Sequence, residues 1–199
     1  MNTLQFIADK YKVDVSKNLI ELPIGRWHEF PILLKELGFN KGVEMGVYRG
    51  EYSEALCKAN PDLDLTGIDA WKVYKGYKDY TNPDLEHGVY EEAQERAKQW
   101  GFKLIKAFSL DVVGQFADES LDFVFIDGNH DFRHVVDDVD EWSKKVKKGG
   151  IVSGHDFYKN PHQGFGVREA IPAWCEYKNI KPLFGLMLEH CPSWMYVKP

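Results

Sequence analysis

Helical spacing opens the chain: Leu4, Ile7, Ala8 and Tyr11 recur at three- and four-residue intervals, and Phe30, Leu33, Leu34 and Leu37 repeat the pattern. Gly38 and Asn40 supply a stop for the second of these helices. Between them, residues 19–27 contain Pro23 and Gly25 and read as an ordered loop. Residues 1–40 are therefore expected to form an N-terminal helical cap, outside any sheet. From Gly42 the rhythm changes. Short apolar runs over 43–45, 63–68, 102–108, 121–126 and 151–153 alternate with segments of helical period. One helix is predicted over 51–59, and a second is marked by Tyr90, Ala93, Ala97 and Trp100. A third carries the stripe Phe132, Val135, Val136, Val139, Trp142 and Val146, with Asp137, Asp138, Asp140 and Glu141 as its solvated side. The last, over 167–175, contains Pro172, which must lie in the first turn or kink the helix. Residues 182–188 and 194–197 read as a closing antiparallel pair. The alternation predicts a doubly wound α/β fold, one domain over 1–199 with its core in 41–199.

Bulk composition narrows the classes without choosing among them. The 199 residues are 44% hydrophobic and 28% charged, ordinary for a globular domain with a real core. A net charge of -6 argues against a nucleic-acid partner. The run Lys144, Lys145, Lys147 and Lys148 before Gly149-Gly150 suits a helix C-terminus better than a basic patch. No apolar run is long enough to span a bilayer and no signal-peptide design opens the chain. Cys57, Cys175 and Cys191 lack metal-ligand spacing and suggest reduced thiols in a cytoplasmic setting.

Candidate chemistry gathers where two apolar runs each end in acid and imidazole. Residues 121–126 lead into Asp127-Gly-Asn-His130, and residues 151–153 into Gly154-His155-Asp156. Strand, crossover helix and strand place both carboxyl ends on one sheet edge, and neighbouring strands lie about 4.8 Å apart. Asp127 and Asp156 would crowd there, and two such carboxylates must share a proton, pair with a lysine, or share a cation. A cation is the favoured reading. The turn Glu44-Met-Gly46-Val-Tyr48-Arg-Gly50 follows the first strand of the core, and Asp69 ends the next. Gly46 would let the backbone approach a ligand, and Gly50 would let the helix start pack near the strand. An acid in the position of Asp69 can accept hydrogen bonds from ribose hydroxyls. Only two glycines are present, so a pyrophosphate has little room, and Glu44 would repel it. A sulfonium tolerates that charge, which favours S-adenosylmethionine over a nicotinamide cofactor.

The run Val43 to Ser53, with Gly67-Ile68-Asp69, Phe125-Ile126-Asp127-Gly-Asn-His130 and Gly149 to Asp156, resembles class I S-adenosylmethionine-dependent methyltransferases. Among these it is most similar to the small metal-dependent sugar O-methyltransferases of the macrocin and mycinamicin type, in matching order from Gly42 to Trp174. The resemblance implies a Rossmann-like, seven-stranded sheet with the last strand antiparallel. It implies cofactor contacts at Glu44, Gly46, Tyr48, Gly50, Asp69, Ser109 and Asp127. It also implies a divalent metal, Mg²⁺ or Mn²⁺, on Asp127 and Asp156, and His130 as general base beside Asp127 in catalysis.

His155 departs from the relatives, which place an acid there. As a ligand it would shift preference from Mg²⁺ toward Mn²⁺, Fe²⁺ or Zn²⁺. It can point the same way as Asp156 only if the chain turns at Gly154. The blander alternatives are a hydrogen-bonded structural His155, helix capping by His130 and Asp131, and a solvent-facing or supporting His134.

Further aromatic residues border these motifs. Trp71, Tyr74, Tyr77 and Tyr80 interleave with lysines in an insertion over 71–88, a loop suited to closing over a ligand or stacking on nucleic acid. Phe157, Tyr158, Asn160, His162 and Phe165 are expected to shape an acceptor pocket. The expected activity is metal-assisted methyl transfer to a hydroxyl of a small molecule, a sugar or glycoside first. Metal-independent transfer to another acceptor, and a non-catalytic ligand-binding module, are the alternatives. A homo-oligomer is compatible with all three.

Overall fold

The structure, a computed structural model, describes residues 2–72, 88–159 and 165–199. One sheet holds eight strands: β1 (Leu19–Leu22), β2 (Lys41–Met45), β3 (Asp64–Asp69), β4 (Lys103–Lys106), β5 (Leu121–Ile126), β6 (Val146–Gly154), β7 (Leu183–Leu186) and β8 (Ser193–Val197). Their spatial order is β1-β7-β8-β6-β5-β2-β3-β4, and only β8 runs against its neighbours. The seven described α-helices are α1 (Thr3–Tyr11), α2 (Glu29–Glu36), α3 (Glu51–Ala59), α4 (Val89–Trp100), α5 (Ser109–Val112), α6 (Phe132–Lys145) and α7 (Val167–Tyr177). Among the described residues no helix is long and apolar enough to cross a membrane.

Central strands explain the layering. In β5 only Asp122 is not fully buried, the near-continuous apolar run of a parallel strand covered on both faces. One face packs on α2 and α3 through Phe30, Leu33, Tyr52 and Leu56. The other packs on α6 and α7 through Val135, Val139, Trp142, Ile171 and Trp174. Helix α7 runs on through Pro172, its sixth residue and so beyond the first turn.

Three expectations are corrected. The sheet has eight strands, because the stretch read as a loop contributes β1, paired in parallel with β7. Ile20 and Leu22 are buried while Leu19 and Glu21 are exposed, a true period of two. Four residues before a proline are too short a pattern to announce a strand whose partner lies near the far end of the chain. Phe132, counted in the apolar stripe of α6, is 46% exposed at the helix start. Asp138, assigned to the solvated side of that helix, is 6% exposed.

Register aligns the carboxyl edge. Met45 pairs with Ile68 and Ile126, and Ile126 pairs with Gly154. The following residues, Gly46, Asp69, Asp127 and His155, therefore leave the sheet side by side. The order in which successive strands are added reverses between β5 and β2, so this edge includes the switch point where open α/β sheets form their ligand crevice.

Candidate active site

Gly46 has φ +81°, and a Cβ on it would stand 1.7 Å from the Asp127 carbonyl oxygen. The close approach demanded there is to the neighbouring strand end. Gly50, φ +81°, brings the start of α3 against Phe102 and Ala93 of α4, where packing against the strand was expected. Asp69 ties the intervening turn down: its carboxylate accepts the backbone N–H groups of Tyr48 at 2.9 Å and Trp71 at 2.8 Å. Burial pushes the Asp69 carboxyl up against those bonds. Each oxygen keeps lone-pair capacity for a ligand hydroxyl.

A cavity of about 470 Å³ opens on this edge. Gly46, Asp69, Phe108, Ser109, Asn129 and Asp138 are among its lining residues. Glu44, Tyr48, Gly50 and Asp127, expected as ligand contacts, are not among them. Strand alternation accounts for Glu44: Val43 and Met45 face the α6 side, so Glu44 points to the other, 1% exposed, onto the hydroxyl of Ser53. Desolvation raises its pKa to about 8 despite that bond.

Beside the cavity, Asp127, His130 and Asp156 converge, one donor atom of each within 4.8 Å of the others. His130 Nε2 lies 2.9 Å from Asp156 Oδ2 and 3.3 Å from Asp127 Oδ1. Asp131, and not His130, caps α6 by accepting the Arg133 N–H at 3.1 Å. His155 Nδ1 lies 3.2 Å from Asp156 Oδ1 and 3.7 Å from Asp127 Oδ2. The turn that lets both side chains face Asp127 falls at Asp156 itself, φ +55°, not at Gly154. A side chain at Gly154 would instead strike the Ile126 carbonyl and Trp194.

Sequence reasoning missed Arg26. Its Nη1 donates to Asp127 Oδ2 at 2.8 Å, and its guanidinium lies over the rings of Trp27 and Tyr52 at 4.9 and 5.5 Å. Docking of β1 at the sheet edge positions the loop that carries it. Burial pushes the Asp127 carboxyl up, but His155, His130 and Arg26 outweigh it and hold the group below its ordinary value. Asp156 is likewise desolvated, and His130 and His155 hold it well below. Two ionised carboxylates thus persist at neutral pH through three nitrogen partners.

Asp138 was also missed, although its spacing from Val135 and Trp142 places it on the buried stripe of α6. It accepts a hydrogen bond from Ser109 Oγ, and desolvation raises its pKa to about 6. His134 is half exposed, 3.5 Å from Asp131, and also borders the cavity. Phe157 is buried, and the Phe165 ring lies 4.5 Å from that of His130. Tyr74, Tyr77, Tyr80, Asn160 and His162 lie outside the described residues.

A family model described as a methyltransferase domain matches residues 43–157. The chain is 24% identical over 172 residues to the uncharacterized protein y4gI of Sinorhizobium fredii, a match covering 84% of the chain. It spans only 18% of that relative's length. Among solved structures it is similar to the O-methyltransferase TomG of Streptomyces achromogenes, in complex with SAM, at a TM-score of 0.61 and 16% identity. That match covers 85% of this chain and 78% of TomG. A putative caffeoyl-CoA O-methyltransferase from Staphylococcus aureus aligns at a TM-score of 0.60 and 12% identity, over 98% of this chain and 90% of its own.

Proposed function

The chain belongs to the methyltransferase-domain family, and from that premise we propose that it transfers the methyl group of S-adenosylmethionine to a hydroxyl of a small molecule. The observation that carries this reading is the convergence of Asp127, His130 and Asp156 beside the cavity at the switch point. The cavity suits the cofactor: Asp69, which can take the ribose hydroxyls, and Gly46 both line it.

His130 is the proposed base. Its Nε2 lies within reach of two carboxylates, which orient the ring and favour the protonated form that taking up a proton creates. As the sulfur–methyl bond breaks and the oxygen–methyl bond forms, the acceptor's proton passes to His130. Asp127 and Asp156 stabilise the imidazolium that results, an effect worth about 10²–10⁴-fold for a positioned base.

The donor set also fits a divalent cation. Asp127 and Asp156 would hold it through ionised oxygens, with imidazole nitrogen from His130 or His155, a mixture that suits Mn²⁺ as well as Mg²⁺. When bound, such an ion lowers the pKa of an acceptor hydroxyl. A second reading, transfer without metal, is favoured by one observation: Arg26 already places a positive charge on Asp127. A sugar or glycoside is the proposed acceptor class, resting on the sequence resemblance and on Phe165 beside His130.

Titration of the full chain with S-adenosylmethionine, with and without Mn²⁺, followed by mass spectrometry on a panel of sugar and phenolic acceptors, tests the reading. Cofactor binding and a methylated sugar hydroxyl are expected. No heat of cofactor binding would sink it.

A further inference from the structure

The sheet ends at β1, and the outer side of that strand meets no other strand among the described residues. The carbonyl oxygens of Asn18 and Leu22 accept the N–H groups of Leu183 and Met187, so they point inward to β7. Backbone groups alternate sides along a strand, which aims the N–H and C=O of Leu19 and Glu21 outward. An edge of this kind is a template for one more strand. Pro23, next in line, has no N–H to offer, so the template is short.

Side chains along this edge say which strand fits it. Leu19 pairs with Leu183 and so faces the α7 side of the sheet. There it lines a cleft of about 450 Å³ together with Pro172 and Cys175 of α7, and it is 37% exposed. Glu21, on the same side, is exposed and has no ion-pair partner among the described residues. Lys17 and Lys181 each precede the paired residues Leu19 and Leu183 by two positions, so both stand at the opposite end of the edge. Lys181 lines the cleft and likewise has no ion-pair partner among the described residues. With an acid at one end and bases at the other, the edge is complementary to itself run antiparallel.

We propose that two copies of this chain associate through β1, antiparallel about a two-fold axis at Leu19, joining their sheets edge to edge. The two Leu19 residues then exchange both backbone hydrogen bonds, and their side chains meet at the mouths of the clefts. Glu21 of each copy falls opposite Lys17 of the other, at the end where Lys181 also stands, so opposite charges meet on both sides of the axis. The next register sets Leu19 against Glu21 and leaves the lysines without acids. The one after sets Glu21 against Glu21, a like-charge pair. A four-residue seam is far shorter than a standard interface, so the dimer is concentration-dependent.

Sedimentation velocity on the full chain tests the pairing. Wild-type protein should pass from monomer to dimer as its concentration rises. Glu21→Lys alone, and Lys17→Glu with Lys181→Glu in one chain, should each weaken association about tenfold or more, because both symmetry-related pairs become like-charged. An equimolar mixture of these two variants should associate as tightly as the wild type, since every contact in the mixed dimer is again between opposite charges. A wild type that stays monomeric up to about 1 mM overturns the proposal. So does undiminished association of either variant alone, or a mixture that associates no better than its components.

Discussion

Arg26 Nη1 reaches Asp127 Oδ2 at 2.8 Å, joining the loop after the edge strand to the acid at the end of β5. Its Nε lies 3.9 Å from Glu189, so one guanidinium serves two carboxylates. The charge that a cation would supply to Asp127 is therefore partly present already. Arg26→Gln is expected to raise Mn²⁺ affinity about tenfold or more, since each 1.4 kcal/mol of relieved competition is a factor of ten. Titration calorimetry checks it; unchanged or weaker Mn²⁺ binding would show that the arginine and the ion do not compete. The same variant should lose stability, by less than the roughly 3–5 kcal/mol for breaking a fully buried pair, because both histidines remain.

The two low-pKa aspartates set an acid limb to stability. Their folded values lie below the unfolded value of about 3.9, so folding favours the ionised form. That contribution is complete above about pH 5 and is lost as pH falls through the folded values. Asp156→Asn should be less stable at pH 7 and decline less steeply between about pH 5 and 2. Denaturant midpoints across that range are the measurement, and a parallel decline in both proteins would refute the assignment.

Glu44 has the opposite sign. Its folded pKa, about 8, lies above the ordinary carboxylate value, so the folded state holds a proton that the unfolded state has released. Stability therefore falls as pH rises from about 4.5 to 8. Glu44→Gln keeps the shape and a hydrogen-bonding group for Ser53 without the charge. Its melting temperature should exceed that of the wild type by a margin that widens up to about pH 8. A constant margin would mean that Glu44 does not titrate in this window. Cofactor affinity should be nearly unchanged, because Glu44 is not among the cavity-lining residues.

Gly46→Ala should be severe. The new Cβ meets the Asp127 carbonyl oxygen at 1.7 Å and the φ of +81° is itself strained for alanine. A loss of roughly 3 kcal/mol or more is expected, visible in the urea midpoint. A near-neutral result would require the strand ends of β2 and β5 to separate.

At the chemical centre, His130→Ala should lower methyl transfer about 10²–10⁴-fold while leaving S-adenosylhomocysteine affinity within a factor of a few. Single-turnover rates beside calorimetry separate the two effects. Equal loss of rate and cofactor affinity would make His130 a binding group and not a base.

Periodicity in the sequence determined the alternation of strand and helix from Gly42 onward, because the runs over 43–45, 121–126 and 151–153 are covered on both faces and are mostly apolar for that reason. It also determined that Asp127, His130, His155 and Asp156 would leave the sheet on one edge, since parallel strands joined by a crossover share that edge. Three things were decided only by tertiary structure. β1 became a strand through pairing with β7 at the other end of the chain, and so delivered Arg26 to Asp127. Glu44 turned away from the cavity because strand alternation is fixed by which neighbours bury each face. Asp138 became a buried acid because Ser109, from a different helix, came to lie over it. A local pattern records what each segment must bury; which long-range partner meets a polar group is settled only when the segments pack.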